Sequence, residues 1–137
     1  METIKVQVQW CNRNFGASLG DNVPGAVVLT AKTFEELKKE VPETLRLHLE
    51  SMEEDGDEIP AWLKNGDYVF SYDLIDTATL IKAYSELTPL VAMSKAAGIN
   101  PHQLSHYATG LKTPRLAQRE KIINGLHAIG RELIAVV

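Results

Sequence analysis

The chain has little of what would tie it to a membrane, an oxidising compartment or a metal centre. Its 137 residues hold one cysteine, Cys11, so no intramolecular disulfide can form and a reducing compartment is expected. No apolar run approaches the roughly 18 residues of a membrane span. The opening METIKVQVQW alternates apolar and polar residues and lacks the apolar core of a signal peptide. A cytoplasmic location is expected. Hydrophobic residues make up 45% and charged residues 23%, which is globular rather than disordered composition. The length suits one ordinary domain or two small ones. No internal repeat or low-complexity tract interrupts it.

The formal net charge of −4 conceals an asymmetry. Residues 1–76 carry seven Lys/Arg against fifteen Asp/Glu, a net of −8, and residues 77–137 carry seven against three, a net of +4. A basic module tolerates phosphate and an acidic one repels it, so the split predicts two modules with different partners. The change of charge coincides with a change of pattern, which places the boundary between 1–76 and 77–137.

In residues 3–10, Ile4, Val6, Val8 and Trp10 alternate with polar side chains, the mark of a strand with one dry face. Asn12-Arg13-Asn14 reads as a tight turn, Phe15 to Leu19 as a second strand, the Pro24-Gly25 loop as another turn, and Ala26 to Thr30 as a third strand. Thr33 can cap a helix, with Glu36 three residues on as in a capping box. Phe34, Leu37, Val41, Leu45, Leu49 and Met52 form its apolar stripe, Pro42 predicts a kink or short break, and the acidic run ends it near Gly56. Tyr68, Phe70 and Tyr72 alternate in a fourth strand after Asn65-Gly66. The expected layer is a small α+β one: a three- or four-stranded antiparallel sheet covered by one helix.

After Asp76 the strand signals stop. Thr77 or Thr79 can cap a helix through Leu87. A second runs from Pro89, tolerated in a first turn, to Ala97. A third runs from Asn100-Pro101 to Gly110. A long last helix spans Arg115 to about Ala135, with Leu116, Ile122, Ile123, Leu126, Ile129 and Leu133 at helical spacing.

Residues 89–110, PLVAMSKAAGINPHQLSHYATG, carry the chemistry. Two short helices meet at Gly98, which can take the left-handed backbone of a tight turn. Ile99 and Leu104 stand where the crossing helices need apolar contacts. With the closing Gly110-Leu111-Lys112-Thr113-Pro114, the segment resembles the helix-turn-helix of phage-repressor (XRE/Cro-like) proteins, with Ser94 in place of the usual alanine and Ala108-Thr109 in place of the usual Glu-Asn. On the third helix His102, Ser105 and His106 share a face with Gln103 at its edge, while Leu104 and Tyr107 turn inward. Amide, imidazole and hydroxyl groups there can bond base edges in the major groove of operator DNA. Asn100 caps the helix and leaves amides for a phosphate. Lys112, Thr113, Arg115 and Arg119 complete the expected DNA-contacting set, the cations making salt-sensitive phosphate contacts.

Other constellations are weaker. His102 and His106 have metal-ligand spacing, but Gln103 stands where a zinc hydrolase needs glutamate and no third ligand lies nearby. No metal or cofactor is expected. His48 and His127 lie on apolar-striped helices and are expected to be partly packed. Cys11 reads as a small residue at a strand end. Glu53 to Glu58 lacks the alternating ligands of a calcium loop and reads as a solvated helix end. Asp67, Asp73 and Asp76 flank the fourth strand and would be the carboxylates of an RNase H-like nuclease, but catalysis is not expected.

Across nearly the whole chain, the order IKVQVQW, NFGASL, VPGAV, TFEELKKE, LRLHLE and Ile59-Pro60, followed by a helix-turn-helix, resembles a HicB-type antitoxin of a type II toxin–antitoxin system. The resemblance implies a partial RNase H-like first domain without nuclease activity that binds and blocks a small basic, mRNA-cleaving HicA-type toxin. It also implies a second domain that represses its own operon, as a homodimer or larger homo-oligomer. No short motif assigns the toxin contacts, and the last helix is the preferred dimer surface. The acidic first module suits a basic partner. Two other readings are a free-standing XRE-like regulator whose first domain senses a ligand or oligomerises, and the carboxylate-dependent nuclease.

Overall fold

The structure, a computed structural model, describes all residues from Met1 to Val137. The chain divides into two compact units, Met1–Ile75 and Asp76–Val137.

In the first unit, β1 (Glu2–Cys11) and β2 (Asn14–Leu19) form a hairpin whose turn residue Asn12 has φ 63°, a conformation asparagine tolerates better than most residues. β3 (Val28–Ala31) pairs antiparallel with β2. α1 (Phe34–Glu54) follows, capped by Thr33, whose hydroxyl accepts from the Glu36 amide at 3.0 Å. A single-turn α2 (Ala61–Lys64) leads to β4 (Tyr68–Leu74), and the sheet order is β3-β2-β1-β4. The alternation of β1 fixes the layer. Ile4, Val6 and Val8 are fully buried, and Leu37, Val41 and Leu45 of α1 are also fully buried. A side-chain period of 2 on the strand and of 3.6 on the helix makes one dry face on each.

Three expectations are corrected here. The sheet is mixed, because β4 pairs parallel to β1, Ile4 opposite Phe70 and Val8 opposite Leu74. The chain reaches β4 only after passing through α1, and a crossover of that kind returns a strand in the same direction. The helical layer also holds α2, a turn too short for any periodicity to announce. Pro42 does not break α1, which runs unbroken for 21 residues. Pro42 and Lys38, whose carbonyl loses its partner, are both exposed, so water can take the missing bond.

The second unit comprises α3 (Thr77–Tyr84), α4 (Leu90–Ala97), α5 (Pro101–Thr109) and α6 (Leu116–Ile134). The cap of α3 is Asp76, which accepts from the Thr79 amide at 2.8 Å, rather than either threonine. Carboxylate suits this place because it meets both the free amide and the positive helix end. The core gathers Leu80, Ile81, Met93, Leu104, Tyr107 and Ile122. α6 lies so close to α4 that a Cβ on Gly125 would stand 2.8 Å from the Ala97 nitrogen. Toward both ends of α6 the stripe leaves the core: Leu116 and Leu133 are exposed, and so is His127, expected from the stripe to be partly packed. No helix is long and apolar enough to cross a membrane.

Candidate nucleic-acid interface

The α4–α5 turn is built by its glycine. Gly98 has φ 67°, and the Ile99 amide bonds back to the Ser94 carbonyl at 3.0 Å, closing α4 with a left-handed cap. Ser94 is buried, and its hydroxyl donates to the Val91 carbonyl at 3.0 Å. A hydroxyl in the place of a methyl is thereby satisfied within its own helix. Ile99 and Leu104 are buried on either side of the turn.

Asn100 starts α5 by accepting from the His102 amide at 2.9 Å, with Pro101 in the first turn. On α5 the inward residues are Leu104 (0% exposed) and Tyr107 (4%). His102, Gln103 and Ser105 are exposed and His106 is half-buried. The four groups expected to face bases therefore lie on the outer side of the helix. α5 carries no lysine, arginine or carboxylate, so its outer face is polar without a permanent charge.

The fixed charge lies beyond Gly110, whose φ is 79°. The Lys112 amide donates to the His106 carbonyl at 3.2 Å, and the Thr109 hydroxyl donates to the same carbonyl at 3.3 Å. These bonds hold the loop against the end of α5, where a cation is favoured by the helix dipole. Lys112, Thr113, Pro114 and Arg115 then line a hollow of about 460 Å³ together with Gln103, Tyr107 and Gln118. The structure thus brings Gln103, Lys112, Thr113 and Arg115 to one place. Arg119 is directed elsewhere: its guanidinium donates to the Thr77 hydroxyl at 3.1 Å and ties α6 to α3.

One polar member of this hollow, Gln118, carries no signal in the sequence, and neither does the role of the Tyr107 oxygen. The Gln103 side-chain amide donates to the Tyr107 hydroxyl at 2.5 Å, and the Gln118 amide approaches the same oxygen at 3.5 Å. Gln118 comes from the first turn of α6, eleven residues away, and no periodicity links it to α5.

In the first unit, His48 is half-buried and its Nε2 stands 2.7 Å from the Pro24 carbonyl oxygen. Arg46 bridges Glu43 and Glu50 on the exposed side of α1; the hydrogen bond from Arg46 holds the Glu43 carboxyl below the usual range. The last turn of α1 is acidic and has no basic residue, the unfavourable sign for a helix C-terminus. Asp73 pairs with Lys5 at 3.9 Å, and Asp76 is the α3 cap. No group of three or more His, Cys, Asp or Glu side chains is gathered closely enough to hold a metal ion. Cys11 is exposed.

Comparison with known protein families, characterised proteins and solved structures finds no match to this chain.

Proposed function

We propose that the chain is a cytoplasmic DNA-binding antitoxin that represses its own operon. The second unit reads operator DNA with α5. The first unit, a HicB-type module of RNase H-like kind, neutralises a small basic, mRNA-cleaving toxin of the HicA type. One observation carries the DNA reading: a left-handed turn at Gly98 joins two short helices, the second of which buries Leu104 and Tyr107 and exposes His102, Gln103 and Ser105. A helix of α5's width enters the major groove, and these side-chain types match base-edge donors and acceptors. Lys112 and Arg115 beside it supply phosphate charge. The toxin reading is supported by the −8 of residues 1–76 and by the acidic end of α1, whose charges oppose the helix dipole and of which Glu53 meets a cation, Lys64, at 3.9 Å.

The DNA reading is tested by incubating the full chain with randomised duplexes and sequencing those retained. A single enriched motif is expected, and His106→Ala should weaken binding to it by about 1–3 kcal/mol. Unchanged affinity at moderate salt would remove α5 as the recognition helix. The toxin reading is tested by purification from the native operon: a small basic protein should accompany the chain, and its release should free ribonuclease activity. A free-standing regulator has one observation in its favour, an uncharged hollow of about 530 Å³ on the open sheet face beside Gln7, Gln9, Ser18 and Thr30. Purification without a partner protein but with a bound small molecule would favour it.

A further inference from the structure

We infer that Tyr107 is a positioning residue for base recognition, holding the Gln103 amide so that it reads an A·T pair; the inference rests on the DNA reading of α5. Tyr107 is 4% exposed, with its ring in the core of the second unit. Its hydroxyl emerges into the hollow between α5 and the start of α6, where the Gln103 Nε2 donates to it at 2.5 Å. Gln118 adds its amide to the same oxygen at 3.5 Å. The oxygen is therefore fixed from below by packing and flanked by a side chain of a second helix.

The consequence for Gln103 is conformational. A glutamine on an exposed helix face has three rotatable bonds, and ordering them on DNA opposes binding through lost rotamer freedom. The bond to Tyr107 makes that selection before DNA arrives. It also assigns the amide's groups. One N–H is engaged by the hydroxyl, which leaves Oε1 and the other N–H. That acceptor and donor match the N6 amino group and N7 of adenine in the major groove. Tyr107 itself does not touch a base. It sets which way the amide faces, and so whether that position discriminates.

The test uses the full chain and randomised duplexes of about 30 base pairs, long enough for two half-sites one helical turn apart. Wild type is expected to enrich a motif containing an A·T pair whose preference disappears in Gln103→Ala. Tyr107→Phe keeps the buried ring and removes only the oxygen. It is expected to reduce preference for that pair from roughly tenfold toward none, while enrichment at the other positions persists. In the Gln103→Ala background, Tyr107→Phe is expected to change nothing further. If Tyr107→Phe weakens all duplexes alike and leaves the A·T preference intact, the hydroxyl serves the fold or the backbone and the inference is overturned. A motif indifferent to Gln103→Ala overturns it too. Should wild type enrich no motif, the DNA reading falls first, an outcome distinct from either.

Discussion

Gly125 and Gly130 lie on the same helix, five residues apart, and should respond to alanine with opposite signs. A Cβ at Gly125 would stand 2.8 Å from the Ala97 nitrogen and 3.0 Å from both the Ala96 carbonyl carbon and the Ala97 Cα. The contact optimum for such atoms is about 3.5–4.0 Å, so α6 and α4 must part by several tenths of an ångström. All three neighbours are backbone, which cannot rotate away as a side-chain tip could. Overpacking of this kind costs about 1–3 kcal/mol. Against it stands the better helix propensity of alanine, roughly 1 kcal/mol. Gly125→Ala should therefore lower stability by up to about 2 kcal/mol, or roughly 4–8 °C in Tm per kcal/mol for a unit of this size. At Gly130 an added Cβ meets nothing within 4 Å, so only the propensity gain remains and Gly130→Ala should raise stability. Both changes remove the same freedom from the unfolded chain, so the difference between them isolates the α4–α6 contact. Helical circular dichroism sums the helices of both units, and the fluorescence of Trp10 and Trp62, both in the first unit, separates out that unit's transition. If the two variants shifted the helical transition the same way, the close approach of α6 to α4 would be refuted.

The first unit offers a second glycine test: Gly25 has φ +80° and its added Cβ would lie 2.9 Å from the His48 ring. Gly25→Ala should destabilise by about 1–3 kcal/mol from backbone strain alone, read by tryptophan-monitored urea unfolding; an unchanged midpoint would show that the Pro24–Gly25 turn relaxes freely. At high pH the first unit should weaken through Tyr72, whose phenol is pushed up by burial beside the Phe34 ring at 5.8 Å. A folded pKa above the unfolded one favours the neutral form, so this contribution is full below the usual value near 10 and is lost as pH rises through the raised value. Tyr72→Phe should flatten the stability profile above about pH 10, and a profile identical to wild type would assign the alkaline loss to other groups. For the second unit, Lys112→Ala and Arg115→Ala should weaken specific and random duplexes alike and each reduce the salt slope by about 1. A loss confined to one motif would instead make them base readers.

Local signals were legible where they concerned neighbouring residues. The alternation of Ile4, Val6 and Val8, the Thr33 cap, the left-handed Gly98, the end of α5 at Gly110, and the inward turn of Leu104 and Tyr107 all depend on residues within a few positions of each other. What escaped the sequence was set by distant partners. The parallel direction of β4 depends on the path through α1, and no alternation of Tyr68, Phe70 and Tyr72 encodes polarity. Arg119 reads as one more cation near the recognition segment until its partner Thr77, 42 residues earlier, is seen beside it. Tyr107 was visible as an apolar ring, but the use of its oxygen needed Gln118 from another helix. His127 and Leu133 follow the stripe of α6, yet the helix outruns the core that the stripe serves.

Recognition is assembled from two segments of different chemistry. α5 presents His102, Gln103, Ser105 and His106, all without a fixed charge, while Lys112 and Arg115 lie in the following loop and cap. Hydrogen bonds to base edges contribute through geometry, whereas counterion release scales with the number of phosphates neutralised. Specificity and electrostatic affinity are then carried by adjacent but separate segments. Substitutions on α5 should change the motif at constant salt slope, and those in the loop should change the slope at constant motif. A recognition helix with arginines would mix the two effects in every variant. This one keeps them apart, so each substitution moves either the motif or the salt slope.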